Sequence, residues 1–173
     1  GDGLANTAAP MPDAAWDKLP SGVEPSGWFE QRREDFLSHS CAEPLSAGNP
    51  MHLLAHLSCS ERGLGPPVAD GAVPADAWDR MFDKHWRLKD TSDFGVLRLV
   101  NMVHAFGGHS SATKELWEKT EHSLLDFKYW FEDPTPERVA DGEPVLDTMW
   151  YWSENHVLIF RAAEYLASQL YPD

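Results

Sequence analysis

The chain has 173 residues, a formal net charge of -14, eight tryptophans and two cysteines. That length suits one domain with a core of its own. A surface this acidic lacks the clustered Lys and Arg that nucleic acid and anionic membranes require. No apolar run approaches the roughly 20 residues that span a bilayer, so neither nucleic acid nor membrane is expected as a partner.

Residues 1–27 read as a flexible arm rich in Pro and Gly, and residues 28–173 as one helical domain. The opening GDGLANTAAPMPDAA looks like a leader left after export, and an engineered boundary gives the same pattern. The expected location is therefore secreted or periplasmic. Trp28 to Ser38 predicts a short helix. Asn49-Pro50 supplies an N-cap followed by Pro at the first helical position, opening a helix to about Arg62 that stops at Gly63-Leu64-Gly65-Pro66-Pro67. Pro74 opens the next helix, with Trp78, Met81, Phe82 and His85 on one face. Thr91 or Ser92 caps a helix from Asp93 to Phe106, closed by Gly107-Gly108. Ser111 caps a long helix to about Trp130, and a polar, Pro-containing loop covers Glu132 to Pro144. The last helix starts at Asp147 or at Ser153 and ends near Leu170.

These are six helices and no sheet. The fold class is all-α, an array of antiparallel helical hairpins. The last helix carries Leu158, Ile159, Phe160, Ala162, Ala163 and Leu166 around most of its circumference, and such a helix needs neighbours on most sides. The helical domain is therefore expected to be incomplete, with a second polypeptide or further chain covering it. Cys41 and Cys59 form one disulfide in an oxidising compartment and are two thiols in a reducing one.

The candidate chemistry centres on MWYWSENHVLIF, Met149 to Phe160. On a helical wheel Asn155 and His156 project toward the apolar side and Glu154 away from it. If Ser153 is the N-cap, both lie beside free backbone N–H groups, where an anion is stabilised and an imidazole can move a proton. If Asp147 is the cap they lie mid-helix and tie helices together. Trp150 and Trp152, with Tyr151, can wall a sugar site or fill a core. In Phe127-Lys128-Tyr129-Trp130, Tyr129 is a candidate acid or base and Lys128 a candidate anion binder. Alternatively Lys128 serves the helix C-terminus. His52, His56 and Cys59 share a helical face that suits zinc, but the face is also needed for packing, and no metal or cofactor is expected. Asp90 and Asp93 read as caps or as a carboxylate pair of the inverting-glycosidase kind.

The segments Asp90-Thr91-Ser92-Asp93-Phe94, Phe127-Lys128-Tyr129-Trp130 and Trp150 to His156 resemble the N-terminal part of large bacterial proteins that look like (α/α) toroids, a largely uncharacterised group. The resemblance covers roughly residues 75–173. Asn155-His156 is also similar to the helix-start motifs of toroidal polysaccharide lyases, in which the Asn neutralises a uronate carboxylate and the His assists removal of the C5 proton. The resemblance implies a carbohydrate-active enzyme, a polysaccharide lyase or glycoside hydrolase. His156 would be the base, Asn155 the neutraliser, Tyr129 or Tyr151 the acid, and a polysaccharide the partner. Glu154 departs from that pattern. The alternative is a non-catalytic helical domain that binds a partner chain or a glycan.

Overall fold

A computed structural model describes residues 25–172, so the expected arm lies outside the described residues up to position 24. Among them are six helices, α1 (Pro25–Ala42), α2 (Pro50–Glu61), α3 (Asp79–Trp86), α4 (Ser92–Phe106), α5 (Lys114–Leu125) and α6 (Glu154–Leu170). One small hairpin interrupts the loop before α6, β1 (Val139–Ala140) paired antiparallel with β2 (Glu143–Pro144). The all-α expectation holds, and the expectation of no sheet fails at this hairpin. Asp141 and Gly142 take φ of 56° and 82°, the left-handed pair that a two-residue hairpin turn demands. None of the helices is long and apolar enough to cross a membrane.

Local chemistry explains the helix ends. Asn49 is extended and its side chain accepts the Met51 N–H at 3.1 Å, with Pro50 at the first helical position. α1 is longer than expected and reaches back to Pro25. α3 begins at Asp79 rather than at Pro74, because residues from Val73 are used elsewhere: Val73 pairs with Ala112 in an isolated parallel bridge. That bridge also takes the carbonyl of Ser111, which accepts the Val73 N–H at 2.9 Å. The cap of α5 therefore falls to Thr113, whose hydroxyl accepts the Leu116 N–H at 3.3 Å. α5 stops at Leu125, well short of Trp130. Phe127 and Lys128 are both buried and Tyr129, Trp130 and Phe131 partly so. Five consecutive residues cannot all bury on one face of a helix, so the chain runs irregularly there.

α4 is the hub, with α2, α3, α5 and α6 packed on it and α1 packed on α2. α1 and α2 run antiparallel, since Cys41 lies beside Ala55 and Cys59 beside Leu37. α3 and α4 do too, with Lys84 beside Ser92 and Met81 beside Gly95. α4 and α6 are parallel: Asp93 meets His156 at their starts, and His104 meets the Leu166 carbonyl near their ends. The core holds Leu53, Leu57, Val96, Leu99, Leu116 and Phe160. Trp78 is fully buried, donates to the Ala47 carbonyl at 2.9 Å and meets Trp117 edge-on.

Cys41 and Cys59 are joined by a disulfide across a separation of 18 residues, linking α1 to α2. This closes the alternative left open by the sequence and removes Cys59 as a zinc ligand. Replacing both cysteines by serine is expected to lower unfolding stability by roughly 3 kcal/mol, the loop-closure entropy of a ring this size. Denaturant melts with and without reductant check it; a wild-type melt indifferent to dithiothreitol would contradict the bond.

Candidate functional site

Ser153 is extended and precedes α6, so Glu154, Asn155 and His156 form its first turn. This decides between the two candidate caps. The Ser153 hydroxyl donates to the Asn155 side-chain oxygen at 2.6 Å rather than capping a backbone N–H. The segment before it is extended, with Met149 and Tyr151 buried and Trp150 and Trp152 56 % and 63 % exposed. That alternation is the period of an extended strand, in which successive side chains face opposite ways.

His156 is partly buried, and its Nδ1 lies 2.7 Å from Asp93 Oδ2. Asp93 is 1 % exposed and sits in the first turn of α4, where the helix dipole favours a carboxylate. Phe94 and the imidazole meet edge to face with ring centres 5.3 Å apart. Sequence reasoning took Asp93 for a cap. It is no cap, because Thr91 precedes the helix in a left-handed conformation and Asp93 turns inward. The signal was present: Asp93, Val96 and Val100 fall on one helical stripe, and all three are buried. Asp90 instead accepts the Thr91 N–H at 2.8 Å at the surface, so the two carboxylates do not form a pair around one site.

The turn between α3 and α4 fixes Asp93. It passes through two non-glycine residues of positive φ, Leu88 at 48° and Thr91 at 65°. Leu88 is fully buried and its carbonyl accepts the Thr148 N–H at 3.0 Å, which holds this costly conformation. The Ser92 hydroxyl reaches the carbonyls of Lys84 and Lys89 and closes the turn.

The wheel placed Asn155 on the apolar side; it is exposed. The buried ridge of α6 runs through His156, Phe160, Ala163 and Ala167, one position further round the helix. The polar tips of Lys128, Tyr151 and Tyr129 bond to groups outside this dyad. The Lys128 ammonium donates to Asp147 Oδ2 at 2.8 Å and to the Thr135 hydroxyl at 2.9 Å. The Tyr151 hydroxyl donates to the same Asp147 oxygen at 2.9 Å, and burial, then that carboxylate, pushes the Tyr151 phenol up. Tyr129 donates to the Leu124 carbonyl at 2.9 Å. Burial pushes the Tyr129 phenol up, with a smaller push from the charge of Glu164. Glu164 lies two turns along α6 from His156, roughly 12 Å at 1.5 Å per residue. Tyr151 stacks on Phe160 at 4.8 Å and meets Trp130 edge-on, so much of the aromatic run is core filling.

The structure thus brings Asp93 and His156 together at the starts of α4 and α6, leaves Asn155, Trp150 and Trp152 exposed nearby in sequence, and uses Lys128, Tyr129 and Tyr151 in packing and internal bonds. With Nδ1 turned to Asp93, the free ring nitrogen of His156 is Nε2, which can accept a proton. Among the described residues no group of three or more His, Cys, Asp or Glu is placed to hold a metal ion. No family model, curated protein or solved structure matches this chain.

Proposed function

We propose that this chain is the helical portion of a carbohydrate-active enzyme of the polysaccharide-lyase type, with His156 as its base. The observation that carries the reading is the Asp93–His156 hydrogen bond at the start of α6, one residue from exposed Asn155 and close in sequence to exposed Trp150 and Trp152. A buried carboxylate fixes the imidazole's orientation and supports the imidazolium once it forms. Exposed indoles suit the apolar faces of sugar rings. The Asn155 oxygen is occupied by Ser153, which leaves the amide N–H groups to donate to a uronate carboxylate. The first-turn backbone of α6 adds its positive end. His156 Nε2 would take the C5 proton and the C4–C5 double bond would form as the C4–O bond breaks. The departing oxygen would then take its proton from the imidazolium. Hydrolysis by a carboxylate pair fits less well, because Asp93 is already bound to His156.

Two further expectations belong to the same reading. The helices are part of an (α/α) toroid completed by further polypeptide, which the exposed Val157, Leu158 and Tyr165 on α6 support. The protein is secreted or periplasmic, which the Cys41–Cys59 disulfide supports.

The test is turnover of uronate-containing polysaccharides, followed by the unsaturated product. Asn155→Ala is expected to lower kcat/KM at least about a hundredfold with folding unchanged, and His156→Ala at least as much, with a loss of stability because the buried Asp93 carboxylate loses its partner. Asp93→Asn should lower kcat more than it raises KM. Equal turnover in all three variants sinks the assignment. A second reading is a non-catalytic glycan-binding domain, favoured by the open setting of Asn155 and the two tryptophans. It predicts binding that Trp150→Ala and Trp152→Ala abolish, with no product from any substrate.

A further inference from the structure

A cavity of about 230 Å3 lies between α3 and α5, and neither Asn155 nor His156 lines it. Its walls are aromatic: Phe82, Trp86 and Phe127. An apolar cavity of roughly 150 Å3 accommodates benzene, so this one has room for a single ring with a small substituent. Trp86 is 39 % exposed, which leaves indole surface for a ligand to cover.

Four of the charged or titratable side chains around it are paired, and a fifth, Arg138, is held by backbone carbonyls. Lys119 bonds Asp79 at 3.0 Å, and His122 lies 3.2 Å from Asp126. Arg138 reaches the carbonyls of Trp86 and Asp126, with its guanidinium 5.7 Å from the Trp86 ring centre. An uncharged ligand leaves all of these contacts in place, whereas a cation would meet the Arg138 guanidinium and an anion the Asp79 and Asp126 carboxylates.

A neutral hydroxyl also lines the cavity, that of Ser123. It lies 3.0 Å from His85 Nδ1. The other ring nitrogen, His85 Nε2, is buried without a hydrogen-bond partner and packs against Gly95. A buried N–H without an acceptor costs more than a buried lone pair against a Cα–H group. The proton therefore sits on Nδ1 and is donated to Ser123. The serine O–H has no acceptor among the described residues and is free to donate to a molecule in the cavity.

We infer that the cavity between α3 and α5 binds a small, uncharged aromatic molecule that carries one hydrogen-bond acceptor, of the phenol or aryl-ether class. The ring lies among Phe82, Trp86 and Phe127, and its oxygen accepts from Ser123. Nothing in this inference depends on the carbohydrate reading of the α6 terminus.

The experiment titrates the full chain with phenol, anisole, toluene and cyclohexanol while recording amide and indole proton–nitrogen spectra. The Trp86 indole signal is identified by its loss in Trp86→Ala. Phenol and anisole should shift it with millimolar affinity, the scale for ligands of so few heavy atoms, and should bind roughly three- to tenfold tighter than toluene. Ser123→Ala should erase that preference while keeping toluene binding. Trp86→Ala, at a half-exposed position, should erase the preference for phenol over cyclohexanol. Absence of any shift in the Trp86 signal at saturating phenol overturns the inference. So does a phenol preference over toluene that survives Ser123→Ala in a folded protein, or a preference over cyclohexanol that survives Trp86→Ala.

Discussion

Replacing Lys128 by methionine is expected to lower unfolding stability by about 3 kcal/mol, the low end of the range for breaking a buried ion pair. The Lys128 side chain is 5 % exposed, and its ammonium bonds both Asp147 and Thr135. Methionine keeps the stem and removes the charge, which leaves the Asp147 carboxylate partly buried without its cation. Two donors remain to it, the Tyr151 hydroxyl at 2.9 Å and the Met149 N–H at 3.0 Å. They keep the loss from reaching the top of the range. For a chain of this length that is a fall in Tm of about 10 °C. Asp147→Asn should be comparably harmful alone, and the double variant should cost less than the sum of the two, because the cycle isolates the shared interaction. Purely additive losses would mean that the two groups do not interact in solution. The network ties the irregular segment after α5 to the extended segment before α6, so its loss should also blunt any activity that depends on Trp150 and Trp152.

Much of the helical layout is legible in the sequence because its punctuation is local. Asn49-Pro50 and Gly107-Gly108 work through their own backbones, and the structure places α2 and the end of α4 where those residues put them. The boundaries that shift are those decided by distant partners. Ser111 loses the cap of α5 because its carbonyl is bound to Val73. The aromatic run from Phe127 loses its helix because all five residues to Phe131 are buried or partly buried, which one face of a helix does not allow. Phe127 meets His85 edge-on, Trp130 meets Phe160, and Phe131 lies against Trp152. The hairpin has a strong short-range turn signal in Asp141-Gly142, but its strands of two residues each are too short to show any alternation in the sequence.

The candidate site was half legible. Ser153 is one of the two helix starts that capping rules offer, and only the structure chooses it over Asp147 and puts Asn155 and His156 in the first turn. Asp93 comes from 63 positions earlier in the chain, and no local rule pairs it with His156. What could have drawn attention to it is its place on the apolar stripe of α4, since a carboxylate among valines must find a partner. Lys128 and Tyr129 misled in the opposite direction. Polar tips among aromatics suggested a site, yet each has an internal partner in the fold, so their pattern reflects satisfied burial.

Gly95→Ala is expected to lower stability by about 3 kcal/mol, at the top of the usual range for overpacking. A Cβ at position 95 would stand 2.3 Å from His85 Nε2 and 3.3 Å from Met81 Cγ. His85 is nearly fully buried against α4, and its ring could withdraw from Gly95 only by shifting toward the cavity and disturbing its bond to Ser123. The pH dependence supplies a second readout. Burial, with a smaller push from Lys84, lowers the His85 imidazole to about 3, against 6.5 for an exposed one. Between those values the unfolded chain takes up a proton that the folded chain refuses. The neutral imidazole's contribution is therefore complete above about 6.5 and is lost as the pH falls toward 3. In Gly95→Ala the displaced ring is more accessible, and the loss of stability on acidification from pH 7 to 5 should be smaller than in the wild type. In a His85→Ala background, Gly95→Ala should cost little, since the atom it strikes is gone. A full cost in that background would place the strain elsewhere in α4 and remove His85 from the account. A small cost would identify Gly95 as the notch that lets a buried histidine lie against α4 and present Ser123 to the cavity beyond it.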